Sequence, residues 1–222
     1  MKVYVNLGNM LEGEFELKDL NILVGYPESG KTLLLNVIHY AVQGDEDALV
    51  KITDSLKEKI VLLKINDIID VIDVECRGGR YNIDTPETLC YIKKIGTSYM
   101  IPHNMNKYDK LKALENFRDE LSFLLLEDPD AGLHPKLMKK LALLLSKIAM
   151  DNIVIVETHN LAFIDMLRNI DKIAREFNEK ILPFKISLIV TRKAGKRFKI
   201  ENIDPASSYI ESYVDELLTI YK

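Results

Sequence analysis

The sequence predicts an α/β fold with a central, mainly parallel sheet, flanking helices and an antiparallel β layer. Three apolar segments carry this prediction: 21–24 enters a glycine-containing loop, 121–126 ends in two acids, and 152–156 leads into Glu-Thr-His-Asn. Strands buried on both faces of a parallel sheet have such continuous apolar sequences, and ligands bind at their carboxyl ends. A chain of 222 residues with 47% hydrophobic residues is expected to fold as one domain, residues 1–222.

The composition excludes several classes of protein. A net charge of −4 argues against a uniformly basic nucleic-acid binder. The chain has no apolar run long enough to span a bilayer, and residues 1–6 lack a signal-peptide core, so we expect a cytoplasmic protein without a membrane partner. Cys76 and Cys90 are too few, and too far apart in sequence, for a zinc site or a disulfide framework.

The first part of the chain is expected to contain three strands and then two helices. Short apolar segments indicate the strands at 2–6, 12–17 and 20–24. The helix after the glycine-containing loop should end near Gly44, because glycine readily adopts the left-handed conformation that terminates helices. A second helix is expected at 46–59.

The middle of the chain has a strand-like pattern. Residues 68–76 alternate between apolar and polar side chains, and Gly78-Gly79 is a hairpin signal, so an antiparallel meander is expected as far as Pro102. The antiparallel layer should therefore comprise about 1–20 and 66–102. The remaining predicted elements are helices at 107–122 and 161–180, a strand at 184–190, a hairpin with Ala194-Gly195 at its tip, and a helix at 209–220.

Two surfaces near the carboxyl terminus could contact partners. The hairpin tip carries five basic residues, Arg192, Lys193, Lys196, Arg197 and Lys199. Such clusters can contact nucleic acid, but five charges alone specify little, so a solvated tip is favoured and nucleic-acid binding is unsupported. The apolar stripe of the last helix is expected to pack on the body of the protein, with docking of a partner as the alternative.

Residues 25–32, Gly-Tyr-Pro-Glu-Ser-Gly-Lys-Thr, fit the phosphate-binding pattern G-x-x-x-x-G-K-[ST]. In a strand–loop–helix context, the backbone N–H groups and the helix N-terminus point at phosphate oxygens. Lys31 would contact the β and γ phosphates, and the hydroxyl of Thr32 would bind Mg²⁺. The predicted nucleotide-binding residues are Gly25, Tyr26, Pro27, Glu28, Ser29, Gly30, Lys31, Thr32 and Leu33.

Two adjacent carboxylates, Glu127 and Asp128, end the most apolar segment of the chain. Carboxylates at a buried strand end are costly unless a cation or a water molecule needs them. We therefore assign Glu127 to Mg²⁺, through water, and Asp128 to positioning or activating an attacking water.

The string from Leu126 to Pro135, Leu-Glu-Asp-Pro-Asp-Ala-Gly-Leu-His-Pro, resembles the Walker B motif and D-loop of ABC-type ATPases. It is most similar to the soluble branch that includes the overcoming-lysogenization-defect, RecF and SMC-like proteins. The resemblance implies that His159, in Thr-His-Asn, contacts the γ-phosphate and the attacking water, and that His134 is a structural residue of the D-loop. The Tyr-x-Ile-Pro turn at 99–102 is also common in this group.

The chain departs from this family at three places. Residues 102–108, Pro-His-Asn-Met-Asn-Lys-Tyr, stand where the signature Ser-Gly is expected, and Asn104 or Asn106 could cap the helix there. The single Gln of the chain, Gln43, lies too close to the phosphate loop to be the Q-loop residue. Asp128 stands where the family more often has Glu. Its side chain is shorter by one methylene, so the catalytic base can be about 1 Å out of place, which can cost on the order of 10²-fold in rate.

The resemblance implies a P-loop ATPase head without a coiled-coil arm or a nuclease domain. We expect it to bind ATP and Mg²⁺ and to act as a nucleotide-driven switch or assembly module, with a protein partner or as a homodimer. The alternative is a non-hydrolysing, nucleotide-binding regulatory subunit. A transporter ATPase is disfavoured, because such proteins need the signature and the Q-loop.

Overall fold

The described part of the chain, residues 1–56, 60–66, 71–82, 85–91 and 96–203 of a computed structural model, forms one mixed eleven-stranded sheet with helices on both faces. The strands are β1 (Lys2–Asn6), β2 (Leu11–Glu16), β3 (Leu20–Gly25), β4 (Ile60–Asn66), β5 (Val71–Asn82), β6 (Thr85–Tyr91), β7 (Ser98–Ile101), β8 (Phe123–Glu127), β9 (Ile153–Glu157), β10 (Ile186–Ala194) and β11 (Arg197–Ile203). The helices are α1 (Lys31–Gln43), α2 (Glu46–Leu56), α3 (Lys107–Glu115), α4 (Pro135–Ile148), α5 (Leu161–Arg168) and α6 (Ile170–Glu176).

The sheet has a parallel half and a largely antiparallel half. Its strand order is β6-β5-β4-β1-β2-β11-β10-β3-β9-β8-β7. The neighbours from β10 to β7 all pair in parallel, whereas the pairs from β6 to β2 are antiparallel. The predicted fold class is confirmed, with the antiparallel layer continuous with the central sheet.

Strand β3 lies inside the sheet between β10 and β9, and all six of its residues are buried. One apolar core packs α1 and α2 against one face of the sheet, and a second packs α4, α5 and α6 against the other. A continuous apolar sequence is therefore the expected one for β3, because neither face reaches water. The loop that follows β3 is therefore held at the end of a strand that has an apolar core on each face.

Three predictions in the middle of the chain were wrong. Gly78 and Gly79 lie inside β5, opposite Thr88 and Glu87 of β6, so they do not form the hairpin turn. Strand β4 was not predicted. Strand β7 belongs to the parallel half rather than to the meander, because α3 separates it from β8 and allows the crossover that parallel pairing requires.

The β5–β6 register places Cys76 directly opposite Cys90. The two cysteines are therefore far apart in sequence but occupy facing positions on adjacent strands.

The helix predictions were too long. The predicted helix 107–122 ends at Glu115, and the predicted helix 161–180 is two helices that meet at Asn169. The hairpin tip at Ala194-Gly195 is confirmed. The helix predicted at 209–220 lies outside the described residues. In the described part of the chain, no helix combines the length and the apolar character needed to cross a membrane.

Candidate functional site

A cavity of about 700 Å³ opens at the carboxyl ends of the four parallel strands β3, β9, β8 and β7. Ligand sites of α/β sheets lie at this edge. The lining residues are Met10, Pro27, Glu28, Ser29, Gly30, Lys31, Thr32, Leu33, Asn36, His103, Glu127, Asp128, Glu157 and His159. All three predicted strand ends therefore meet at one cavity, together with a fourth that was not predicted.

The loop between β3 and α1 is shaped for an anion. Gly30 caps α1 with a left-handed backbone (φ 84°), a conformation that a side chain would disfavour. The N-terminal residues Lys31, Thr32 and Leu33 of this helix line the cavity. The free N–H groups and the dipole of a helix N-terminus favour a negatively charged ligand, so the geometry suits a phosphate.

Lys31 is held under the loop and is 3% exposed. Its Nζ donates hydrogen bonds to the carbonyl oxygens of Tyr26 (2.7 Å) and Gly25 (3.3 Å) and to Ser29 Oγ (3.4 Å). Gly25 and Tyr26 do not line the cavity, so in this structure they act through the backbone oxygens that hold the lysine. Burial lowers the pKa of Lys31, although the nearby carboxylate of Glu157 opposes this shift.

The acids at the end of β8 differ in exposure. Glu127 is 8% exposed and accepts a hydrogen bond of 3.0 Å from the backbone N–H of His103 at Oε2. Its Oε1 is buried without a hydrogen-bond partner among the described residues. Asp128 is more open to the cavity, with 27% of its side chain exposed. An unpartnered buried carboxylate oxygen is costly unless a cation or water reaches it.

These residues fit a magnesium ion that is brought by a nucleotide. Among the described residues, no three His, Cys, Asp or Glu side chains form a site that could hold a metal by themselves. Mg²⁺ does not need such a site, because it keeps several waters and takes one or two protein ligands beside phosphate oxygens. The hydroxyl of Thr32 and the free oxygen of Glu127 could serve in this way.

Two residues of the β7–α3 region contact the acids. Lys110 of α3 is 3% exposed, and its Nζ donates hydrogen bonds to the carbonyl oxygens of Glu127 (3.2 Å) and Asp128 (3.3 Å). Burial lowers the pKa of Lys110, with the acids at 127, 128 and 130 opposing the shift. His103 follows β7, and its Nδ1 lies 3.4 Å from Asp128 Oδ2.

Glu157, the last residue of β9, lies against the phosphate loop. Its Oε2 accepts a hydrogen bond of 3.2 Å from the hydroxyl of Thr32, and its Oε1 lies 3.8 Å from Lys31 Nζ. The residue is 5% exposed. Burial raises its pKa, an effect that the ammonium of Lys31 only partly offsets.

His159 lies at the mouth of the cavity, two residues after β9. Its Nε2 is 3.9 Å from Glu157 Oε1, and 43% of its side chain is exposed. Burial and the positive charge of Lys31 lower its pKa, so the imidazole is neutral near pH 7. A neutral imidazole can accept a hydrogen bond at one nitrogen and donate at the other.

Three residues singled out in the sequence have structural contacts. His134 caps α4 through a 3.3 Å hydrogen bond from Lys136 N to its Nδ1, in agreement with the structural role predicted for it. Asn106 caps α3 by accepting a hydrogen bond from Tyr108 N. Gln43 donates to the carbonyl oxygen of Ser98 and so connects α1 to β7, away from the cavity.

The sequence analysis missed three residues at this site: Glu157, His103 and Lys110. A signal for Glu157 was present, because it ends an apolar strand in the same way as Glu127. His103 directly follows the Tyr-x-Ile-Pro turn. That turn indicated the end of a strand, but it did not indicate that the next residue would lie at the site. For Lys110 no local signal exists, because a lysine on a polar helix is normally exposed.

A family model described as "AAA domain, putative AbiEii toxin, Type IV TA system" matches residues 111–165, which include β8, α4, β9 and His159. No curated protein matches the chain. Two of the solved structures that match most of it are SMC heads. An SMC head domain from Thermotoga maritima has a TM-score of 0.54 at 12% identity, covering 91% of this chain and 98% of that one. An SMC head bound to the C-winged helix domain of ScpA has a TM-score of 0.55 at 9% identity, covering 91% and 97%.

The structural matches extend over both halves of the sheet, whereas the family match covers the acidic strand and the strand of the late histidine. Together they confirm the resemblance seen in the sequence. The chain has the fold of SMC head domains.

Proposed function

We propose that this protein binds ATP with Mg²⁺, hydrolyses it, and uses the change of nucleotide state as a switch or assembly signal for a partner protein in the cytoplasm. The observation that carries the proposal is the convergence of Lys31, Glu127, Asp128 and His159 on one cavity at the carboxyl ends of parallel strands. These residues come from three separate segments of the sequence, so chance proximity is a poor explanation.

The residues divide the work of phosphoryl transfer. Lys31 and the N-terminus of α1 would hold the β and γ phosphates, and Thr32 and Glu127 would hold the magnesium ion, which neutralises charge that develops on the phosphate oxygens. Asp128 would accept a hydrogen bond from the attacking water. His159, as a neutral imidazole, would contact the same water and the γ-phosphate. ATP and water then give ADP and inorganic phosphate.

The change of nucleotide state would be passed on to a partner protein. One of the matched SMC heads is bound to the C-winged helix domain of ScpA, which is an example of a head of this fold with a protein partner. A homodimer is the other possibility. The signature Ser-Gly is absent before α3, so either assembly would have to complete the nucleotide site with other groups.

The alternative function is a regulatory subunit that binds nucleotide without turnover. The specific observation in its favour is the short side chain of Asp128, which lies beside His103 rather than alone at the mouth of the cavity. An aspartate in place of a glutamate can hold the water too far from the phosphate for rapid attack.

Two assays with the same set of proteins separate these functions. Nucleotide binding is measured with a fluorescent methylanthraniloyl (mant) ATP, and turnover is measured by steady-state phosphate release in Mg²⁺. The variants are Lys31→Ala and Asp128→Asn, with the exposed Lys112→Ala and Asp47→Asn as matched controls.

Hydrolysis predicts that phosphate release is lost in both site variants, and that Asp128→Asn still binds nucleotide. Binding by the wild type without turnover would favour the regulatory subunit. Absence of binding by the wild type at millimolar mant-ATP would refute both functions.

A further inference from the structure

We propose that Glu157 makes this site select the magnesium complex of a nucleotide over the free nucleotide. The inference rests on the proposed function, because it assumes that the phosphate loop binds nucleotide. It adds a role for a residue that neither the loop pattern nor the acidic pair includes.

The first argument is position. The carboxylate of Glu157 contacts both groups that a metal-bound triphosphate would need, namely the hydroxyl of Thr32 at 3.2 Å and the ammonium of Lys31 at 3.8 Å. Its side chain is almost fully buried, so it cannot turn away into bulk solvent. An entering phosphate group would therefore meet a negative charge beside its lysine.

The second argument is the balance of charge. Four acidic residues line the described cavity, namely Glu28, Glu127, Asp128 and Glu157, whereas Lys31 is the only lysine or arginine among the lining residues. Lys110 is close by, but its Nζ donates to backbone carbonyls behind the acids. A free triphosphate adds more negative charge to this cavity, and the Coulomb repulsion is strong where water is scarce. A divalent cation would convert the repulsion into attraction.

The third argument is the free oxygen of Glu127. Its Oε1 is buried without a hydrogen-bond partner among the described residues. A cation or a water molecule that bound this oxygen would remove the cost of leaving it unpaired. Glu127 and Glu157 are register partners on adjacent strands, which places both acids at the same level of the sheet. A cation that satisfies Glu127 would thus be close to the charge of Glu157.

The test measures binding rather than activity. Mant-ADP is titrated into the protein by fluorescence, once with excess MgCl₂ and once with EDTA, and the ratio of the two dissociation constants is compared between variants. Glu157→Gln removes the charge but keeps the size of the side chain and an oxygen that can accept from Thr32. Glu157→Asp keeps the charge, and the exposed Glu14→Gln is the matched control for loss of one negative charge.

We expect the wild type to bind mant-ADP more weakly in EDTA. In Glu157→Gln the ratio should fall by about tenfold, mainly because binding in EDTA becomes tighter. Glu157→Asp and Glu14→Gln should keep the wild-type ratio. If Glu157→Gln does not give folded protein, Glu157→Ala removes the same charge and serves in its place.

An unchanged ratio in the charge-removing variant would overturn the inference while leaving nucleotide binding intact. Failure of the wild type to bind either mant-ADP or mant-ATP in Mg²⁺ would instead refute the proposed function. The two failures are therefore distinguishable in one set of titrations.

Discussion

The hydroxyl of Thr158 donates a hydrogen bond of 2.7 Å to Oδ1 of Asp130, and both residues are almost fully buried. Thr158 directly precedes His159, and Asp130 lies in the loop after the β8 acids. Burial raises the pKa of Asp130, and the hydrogen bond from Thr158 works against that shift. This bond therefore joins the loop after β9 to the loop after β8.

Replacement of Thr158 by Val should destabilise the protein. Valine has nearly the same shape but no hydroxyl, so the carboxylate of Asp130 would lose a donor in a buried position, at a cost of about 1–3 kcal/mol in the free energy of unfolding. Urea unfolding measures this change. Thr158→Ser keeps the hydroxyl and is the control. Equal stability of the Val variant and the wild type would show that the bond contributes little.

Gly25→Ala should be far more damaging than Gly195→Ala. Gly25 has φ 153°, and a Cβ there would collide with the hydroxyl of Thr191 and come within 2.8 Å of its carbonyl oxygen. Gly195 has φ 67°, and a Cβ at that position would meet nothing within 4 Å. We expect losses of about 3–5 kcal/mol and about 1–2 kcal/mol, respectively, in urea unfolding. Similar losses for the two variants would contradict the clash.

The stability of the protein should depend on pH through Glu157. Burial raises its pKa in the folded state above the ordinary 4.5, so the folded chain binds more protons than the unfolded chain between these two values. Its contribution to stability is complete below pH 4.5 and is lost as the pH rises through the raised pKa.

Glu157→Gln cannot titrate. Its free energy of unfolding, relative to that of the wild type, should therefore be higher at pH 8 than at pH 4.5 in urea titrations without nucleotide. A difference that does not change with pH, or that changes in the opposite direction, would show that the carboxyl group is not destabilised by burial.

Lys110→Met should impair phosphate release more than stability. The substitution removes two hydrogen bonds to the carbonyl oxygens of Glu127 and Asp128, but it also removes a buried charge, so the free energy of unfolding should change by no more than about 1–2 kcal/mol. The acids would lose their fixed position, and we expect turnover to fall about tenfold. Lys112→Met, on the exposed side of the same helix, should leave turnover unchanged. Unaltered turnover in the Lys110 variant would exclude a positioning role.

Much of the parallel half of the fold could be predicted, because local signals there agree with the final structure. The strand before the phosphate loop, the loop itself and the helix that ends at Gly44 each carry their own sequence pattern. The acids at 127 and 128 were predicted for the same reason, since they follow a continuous apolar segment, whereas His159 was predicted from the resemblance to the SMC-like ATPases.

What could not be predicted depends on contacts between distant segments. Glu157 contacts Lys31 and Thr32 only because β9 pairs with β3 in the observed register, Leu23 opposite Glu157. The burial of Lys110 follows from the packing of α3 behind β8. The glycines of β5 resembled a turn because a glycine pair is a common hairpin signal, and only the pairing with β6 shows that the strand continues through them.

The placement of β3 has a consequence for folding of the chain during its synthesis. Leu20 pairs with Val154 on one side and with Ile186 on the other, so both neighbours of β3 are made long after it. While the chain is still growing on a ribosome, this strand has two unpaired edges, and contacts over such sequence distances form slowly. The nascent amino-terminal part should therefore be a client for chaperones, and nucleotide can assist folding only after β9 and β10 have been synthesised.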